Sequence, residues 1–113
     1  MSFYTVIKTE LKNKKYVIAA LEELKARGEI SRYEEILKKN RIKVNRGGDA
    51  IEIVMDIKTG NVHVEGDARV VEDFTKRLKQ LYAYASIKEN LPFDFEIANE
   101  RDIAGDITLV LKG

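Results

Sequence analysis

His63 is the single histidine of the chain, and so the one side chain whose unperturbed pKa lies near neutrality, where a group can both take and give a proton. It alternates with Val62 and Val64 and shares its face with Glu65, which points it to solvent. A catalytic dyad or a metal site needs further partners, and no His, Asp and Glu set stands at ligand spacing. Asp94, Glu96, Asp102 and Asp106 gather near the C-terminus. A general acid–base pair requires one desolvated carboxyl, and nothing around these four supplies that. Gly47-Gly48 and Gly60 form neither a GxGxxG pattern nor a phosphate loop followed by Lys and Ser or Thr, so they read as turn residues. The chain has no cysteine, which excludes disulfides, thiolate metal sites and cysteine nucleophiles together. The expectation is a protein without catalytic residues, metal or cofactor.

Two further sets could bind rather than react. Lys38, Lys39, Arg41, Lys43 and Arg46 place five basic residues in nine positions without an acid among them. Such a stripe neutralises phosphates, and the neighbouring Gly47-Gly48 backbone can approach an anion closely. Base stacking wants aromatics interleaved with the charges, and only the more distant Tyr33 is at hand. The stripe therefore reads either as a phosphate- or RNA-binding strand or as a solvated, edge-protecting one. The second set is Tyr82 and Tyr84. Residues two apart on a helix are separated by about 200°, so the pair cannot share a face. Tyr82 goes with Leu78 and Ala85 into the core, and Tyr84 reaches the helix edge, where an aromatic ring with a polar tip suits a protein interface.

The elements that position these residues follow from periodicity. Phe3, Thr5, Ile7, Thr9 and Leu11 alternate as a first strand, expected near the centre of a sheet. Asn13 caps a helix from about Lys14 to Arg27, where Val17, Ala20, Leu21 and Leu24 recur at helical spacing until Gly28. In Ile30 to Lys39, Ser31 and Glu34 have capping-box spacing, yet a strand fits equally, and both readings stand. Arg41 to Arg46 alternates up to the Gly47-Gly48-Asp49 turn. Ile51 to Lys58 and Val62 to Val64 make a hairpin across Thr59-Gly60-Asn61.

Asp67 caps the one long helix, Val70 to Leu91, whose buried face is Val71, Phe74, Leu78, Leu81, Tyr82 and Ala85, with Lys76, Arg77, Lys79 and Lys88 largely off it. Pro92 ends it. Phe93, Phe95 and Ile97, then a loop through Gly105, then Ile107, Leu109 and Leu111, close the chain on a second hairpin. The order strand, helix, strands, helix, strand, strand reads as an α+β domain, both helices packed on one face of a mainly antiparallel sheet.

With 113 residues there is room for one domain. Hydrophobic residues at 44% and charged residues at 35% describe a globular, soluble chain. Lys and Arg number 20 against 19 Asp and Glu, so no global field draws nucleic acid or anionic lipid, and any such binding is local. The N-terminal stretch interleaves charges with apolar residues and is neither a signal peptide nor a membrane span. A cytoplasmic location is expected, and the many Lys and Glu residues with a single proline hint at a thermophilic source.

The opening MSFYTVIKTELKN, the helix FTKRLKQLYAYASIKENL with Tyr82-Ala83-Tyr84 at its centre, and the closing GDITLVLKG together resemble the family called hypothetical chloroplast reading frame thirty-five, or domain of unknown function twelve-fifty-seven. The likeness lies at the two ends. The middle departs from the pattern, its longer hairpin shortened here to about IKTGNVHVEGD. That family has no settled activity, and its genes often lie beside those of AAA-type ATPases. The resemblance therefore implies an accessory or adaptor role, with an AAA-type ATPase as partner by association. The residues themselves lead to the expectation of a non-enzymatic interaction module whose partner is another protein or a second copy in a homo-oligomer.

Overall fold

The computed structural model describes residues 4–92, 94–103 and 106–113, without the side chains of residues 103 and 106. Phe3, Phe93, Gly105 and the Asp106 side chain, invoked above, lie outside the described residues. The chain runs through β1 (Tyr4–Lys8), α1 (Lys14–Ala26), β2 (Arg32–Ile36), a short 3-10 turn (Leu37–Lys39), β3 (Arg41–Arg46), β4 (Asp49–Met55), β5 (Val62–Asp67), α2 (Ala68–Glu89), β6 (Glu96–Ile103) and β7 (Asp106–Lys112). It is an α+β fold whose strands pair antiparallel throughout: a five-stranded sheet in the order β1-β5-β4-β3-β2, and a separate hairpin of β6 and β7.

Strands β2 to β5 form a meander because each is joined to the next by a short connection. Gly47 and Gly48 take φ +57° and +92° between β3 and β4, a pair of left-handed conformations that tight hairpin turns require and side chains resist. The Asn45 side chain accepts from the Gly48 N–H at 3.1 Å and fixes that turn. A local meander leaves only its two edges open, so β1 pairs with β5 at one edge rather than sitting centrally as its alternation suggested. The chain must then cross the whole sheet to begin β2 at the other edge. Helix α1 runs beside that far edge: the Lys14 ammonium pairs with Glu35 at 2.8 Å and the Glu22 carboxylate accepts from Tyr33, both partners on β2.

The segment left open in the sequence resolves as strand. Tyr33 lies opposite Val44 and Glu35 opposite Ile42, and the Ser31 N–H donates to the Asn45 carbonyl at 2.8 Å. The capping-box spacing of Ser31 and Glu34 is followed by no helical apolar face, so edge pairing prevails. Tyr33 reaches inward to the Glu22 carboxylate on α1, and that hydrogen bond pushes the phenol pKa up to about 12.

Both helices lie on one face of the five-stranded sheet. Asn13 caps α1 by accepting the Lys15 N–H at 3.0 Å, and Asp67 caps α2 by accepting the Arg69 N–H at 2.9 Å. Val17, Ala20, Leu21 and Leu24 of α1, Val71, Phe74, Leu78 and Leu81 of α2, and Ile42, Val44, Ile51, Ile53, Val62 and Val64 of the sheet form one core, each almost wholly removed from water. Burying a Leu, Ile, Val or Phe side chain contributes about 1.5–3 kcal/mol, which makes this layer the main source of stability. Thr9, at the end of β1, donates its hydroxyl to the Val62 carbonyl at 2.6 Å and closes one end of the layer.

At Gly66 on β5 the neighbouring strand and the first turns of α2 leave no room for a side chain. A Cβ there would stand 3.0 Å from the Ala50 carbonyl oxygen and 3.2 Å from a Val71 methyl, at φ +155°. Gly66→Ala is expected to lower stability by about 1–3 kcal/mol, read from urea unfolding. A loss below a few tenths would show that β5 and α2 have room to part.

Candidate functional site

Arg77, placed by its sequence neighbours on the solvated side of α2, is only 9% exposed. Its Nε donates to Glu29 at 2.8 Å and its Nη2 to the other Glu29 oxygen at 2.8 Å, a bidentate pair. Nη1 donates to the Gln80 side chain at 2.9 Å, and Nη2 also reaches the Asp102 carboxylate. Glu29 belongs to the connection between α1 and β2, and Asp102 to β6, so one guanidinium joins three separate segments. The hydrogen bond to Glu29, above all, holds the Arg77 pKa above its ordinary value.

Around this centre, Arg27 at the end of α1 also donates to Asp102, to Glu100 at 3.4 Å and to Glu23 at 3.1 Å. The Tyr84 hydroxyl donates to Glu100 at 2.8 Å. Its ring lies between the Arg27 guanidinium, 5.6 Å from the centroid, and the Lys88 ammonium, at 4.9 Å, a double cation–π arrangement. Burial first, and then the Glu100 carboxylate, raise the Tyr84 pKa.

The assignment of the two tyrosines is thereby corrected. Tyr84 is 5% exposed, packed within the molecule rather than standing at a free helix edge. Tyr82 is the less buried of the two and meets α1: its hydroxyl accepts the Asn13 N–H at 3.0 Å, and its ring stacks edge-on with Tyr16, centroids 5.5 Å apart. The cause is that α2 touches the sheet, α1 and the hairpin, so its covered sector is wide enough to take both rings and Arg77 as well.

The basic stretch is dispersed by the fold. β3 lies inside the sheet, with β2 as the edge, so its charges do not guard an edge. Arg41 donates to Glu52 and, at 2.7 Å, to Glu65. Those two carboxylates sit directly opposite each other on β4 and β5, a like-charge pair that a cation relieves. Lys43 stands across from Glu34 on one side and Glu52 on the other. Arg46 turns to the Val70 carbonyl at 3.4 Å. Lys38 and Lys39 stay exposed on the 3-10 turn. What read as one cationic stripe is a mixed-charge sheet face plus two surface lysines.

His63 lies on that same outer face, across from Lys8 and Val54. Among the described residues, no group of three or more His, Asp or Glu side chains is placed to hold a metal ion. No helix there is long and apolar enough to cross a membrane. Asp102, expected as a solvated hairpin carboxylate, is instead held by Arg77 and then Arg27, which keep its pKa below the usual carboxylate value. The Arg77, Glu29 and Asp102 constellation was missed by sequence reasoning. The available signal was the i, i+4, i+7 spacing of Arg77, Leu81 and Tyr84, which puts an arginine in a buried stripe; nothing in the sequence named its partners.

The cations of this clasp are engaged by its own carboxylates. The clasp positions the β6–β7 hairpin. Between hairpin and α2 opens a cavity of about 300 Å³ lined by Gln80, Ala83, Tyr84, Ile87, Ile107 and Leu109. Ile87 in its lining is 42% exposed, and on or next to the hairpin Phe95, Leu111 and Val110 are 40–50% exposed. Comparison with family models, with curated proteins and with solved structures finds no match to this chain.

Arg77→Ala leaves the partly covered Glu29 without its cation and Asp102 with Arg27 alone. Removing one partner of a fully buried pair costs about 3–5 kcal/mol; with Glu29 and Asp102 still partly solvated, a loss of about 1–3 kcal/mol is expected. The Asp102 shift fixes a pH effect. Its folded pKa is depressed, so its contribution is complete above the unfolded value near 3.9 and disappears as pH falls below about 4. Asp102→Asn should therefore flatten the acid limb of stability measured by denaturant titration. An unchanged limb would mean that the carboxylate is not held in solution.

Proposed function

We propose that this chain is a non-enzymatic protein-interaction module of the cytoplasm, and that the β6–β7 hairpin is its docking element. The observation that carries the reading is the hairpin itself. It forms a sheet of its own, is fastened to the body by the Arg77 and Arg27 pairs to Asp102, and keeps Val110 50% exposed and Leu111 40% exposed beside Phe95. Exposed apolar groups on a positioned ribbon favour a partner surface. The resemblance at the two ends of the chain suggests an AAA-type ATPase as a partner class to try first. The phosphate- or RNA-binding reading loses ground because Arg41 and Arg46 are engaged within the fold, leaving it Lys38, Lys39 and Lys43.

Affinity capture with the tagged full chain, with nuclease and at two salt concentrations, tests this. The expected result is a stoichiometric protein that resists nuclease and salt, is lost with Leu111→Glu and is retained when Lys38 and Lys39 are both changed to Glu. Nucleic acid recovered at low salt and lost with the two lysine substitutions would overturn it.

A further inference from the structure

The two strands of the hairpin manage their free edges differently. β6 carries Glu96, Glu100, Arg101 and Asp102 and is broken by an irregularity between Ile97 and Asn99, the devices that discourage another strand from adding. β7 reads DITLVLK: five uncharged residues of good β propensity, Ile107 to Leu111, between an acidic position 106 and a basic position 112. Among the described residues it pairs with β6 alone, so its other edge has no strand to take its backbone donors and acceptors.

We propose that β7 is a self-association edge, and that its partner is β7 of a second copy of this chain, added antiparallel about a twofold axis at Leu109. This deepens the docking reading of the hairpin and rests on it. A twofold axis makes the pairing isologous, so the strand must complement itself. Centred on Leu109, Ile107 comes opposite Leu111 and Thr108 opposite Val110, so the five uncharged residues pair among themselves. Shifting the axis to Val110 brings Lys112 opposite Thr108 and takes a charge into the uncharged stretch. The product is a four-stranded sheet, β6-β7-β7-β6, in which the charged strands are the new edges. A two-stranded ribbon is marginal in water and gains from further strands. The contact is small, below about 1,200 Å² in total, the size of transient complexes, so the dimer dissociates on dilution through the micromolar range.

Thr108 and Val110 lie on the hairpin face turned away from the clasp, since Asp102 pairs with Ile107 and Glu100 with Leu109 in the facing set. Substitutions at 108 and 110 therefore spare the attachment, and the register makes them a pair across the axis. Sedimentation velocity of the full chain over a concentration series is the test. Wild type should move from monomer to dimer as concentration rises. Thr108→Lys with Val110→Lys sets like charges opposite each other twice and should weaken the dimer about tenfold or more. Thr108→Lys with Val110→Glu sets opposite charges there and should restore it, while circular dichroism shows both variants folded. A monomer at every concentration, or the same association in the two double variants, would overturn the proposal. If wild type stays monomeric while Leu111→Glu still abolishes capture of a different protein, the docking reading survives and the self-association falls.

Discussion

A guanidinium removed from water has to be met by acceptors on several sides at once, and meeting Arg77 fixes where three pieces of this chain can lie. Glu29 fills one edge of the fork and Asp102 another part of it, so the connection out of α1 and the hairpin after α2 are tied to the same turn of the same helix. The apolar layer between helices and sheet would form without this arrangement. Among the described residues the hairpin meets the body through the clasp, the Tyr84–Glu100 hydrogen bond, Ile107 against the core and Leu109 over α2.

That dependence connects the energetics to the proposed role. Charge-assisted hydrogen bonds contribute about 1.5–3 kcal/mol each, so a few of them keep an isolated two-stranded ribbon docked. Because they act on one face near one end of the hairpin, β7 keeps a free edge and Val110 and Leu111 keep their exposure. The same division appears across the large sheet. Its inner face is apolar and covered. Its outer face sets Arg41 against Glu52 and Glu65.

Much of the fold was legible in the sequence because it rests on period. Alternation in Arg41 to Arg46, helical spacing in Val17 to Leu24 and Val71 to Leu81, and the caps Asn13 and Asp67 all appear where local pattern places them. The strand read from Ile51 to Lys58, by contrast, ends at Met55, because Asp56 accepts from the Lys58 and Thr59 N–H groups and turns the chain. Strand order was not legible in that way. Nothing local to Tyr4–Lys8 records that the meander occupies the interior positions, so β1 falls at an edge. The candidate site was less legible still, because it depends on partners far apart in the chain. Arg41 with Glu65 and Arg77 with Glu29 and Asp102 are 24, 48 and 25 residues apart. Linear spacing displays the basic residues of Lys38 to Arg46 as a run, while pairing across strands brings carboxylates between them. Tyr82 and Tyr84 were sorted by a single buried face, whereas α2 has neighbours on three sides.

The central claim is that ion pairing at Asp102, more than apolar packing, holds the hairpin to the body. Native-state amide hydrogen exchange, comparing dilute wild type with Asp102→Ala, tests it residue by residue. The expected result is that β6 and β7 amides lose protection about tenfold or more, corresponding to one charge-assisted hydrogen bond, while β3, β4, β5 and the middle of α2 keep theirs. Unchanged protection in the hairpin would contradict the claim and give the attachment to Ile107 and Leu109. A uniform loss through every strand would contradict it as well, making the hairpin part of one cooperative unit with the sheet.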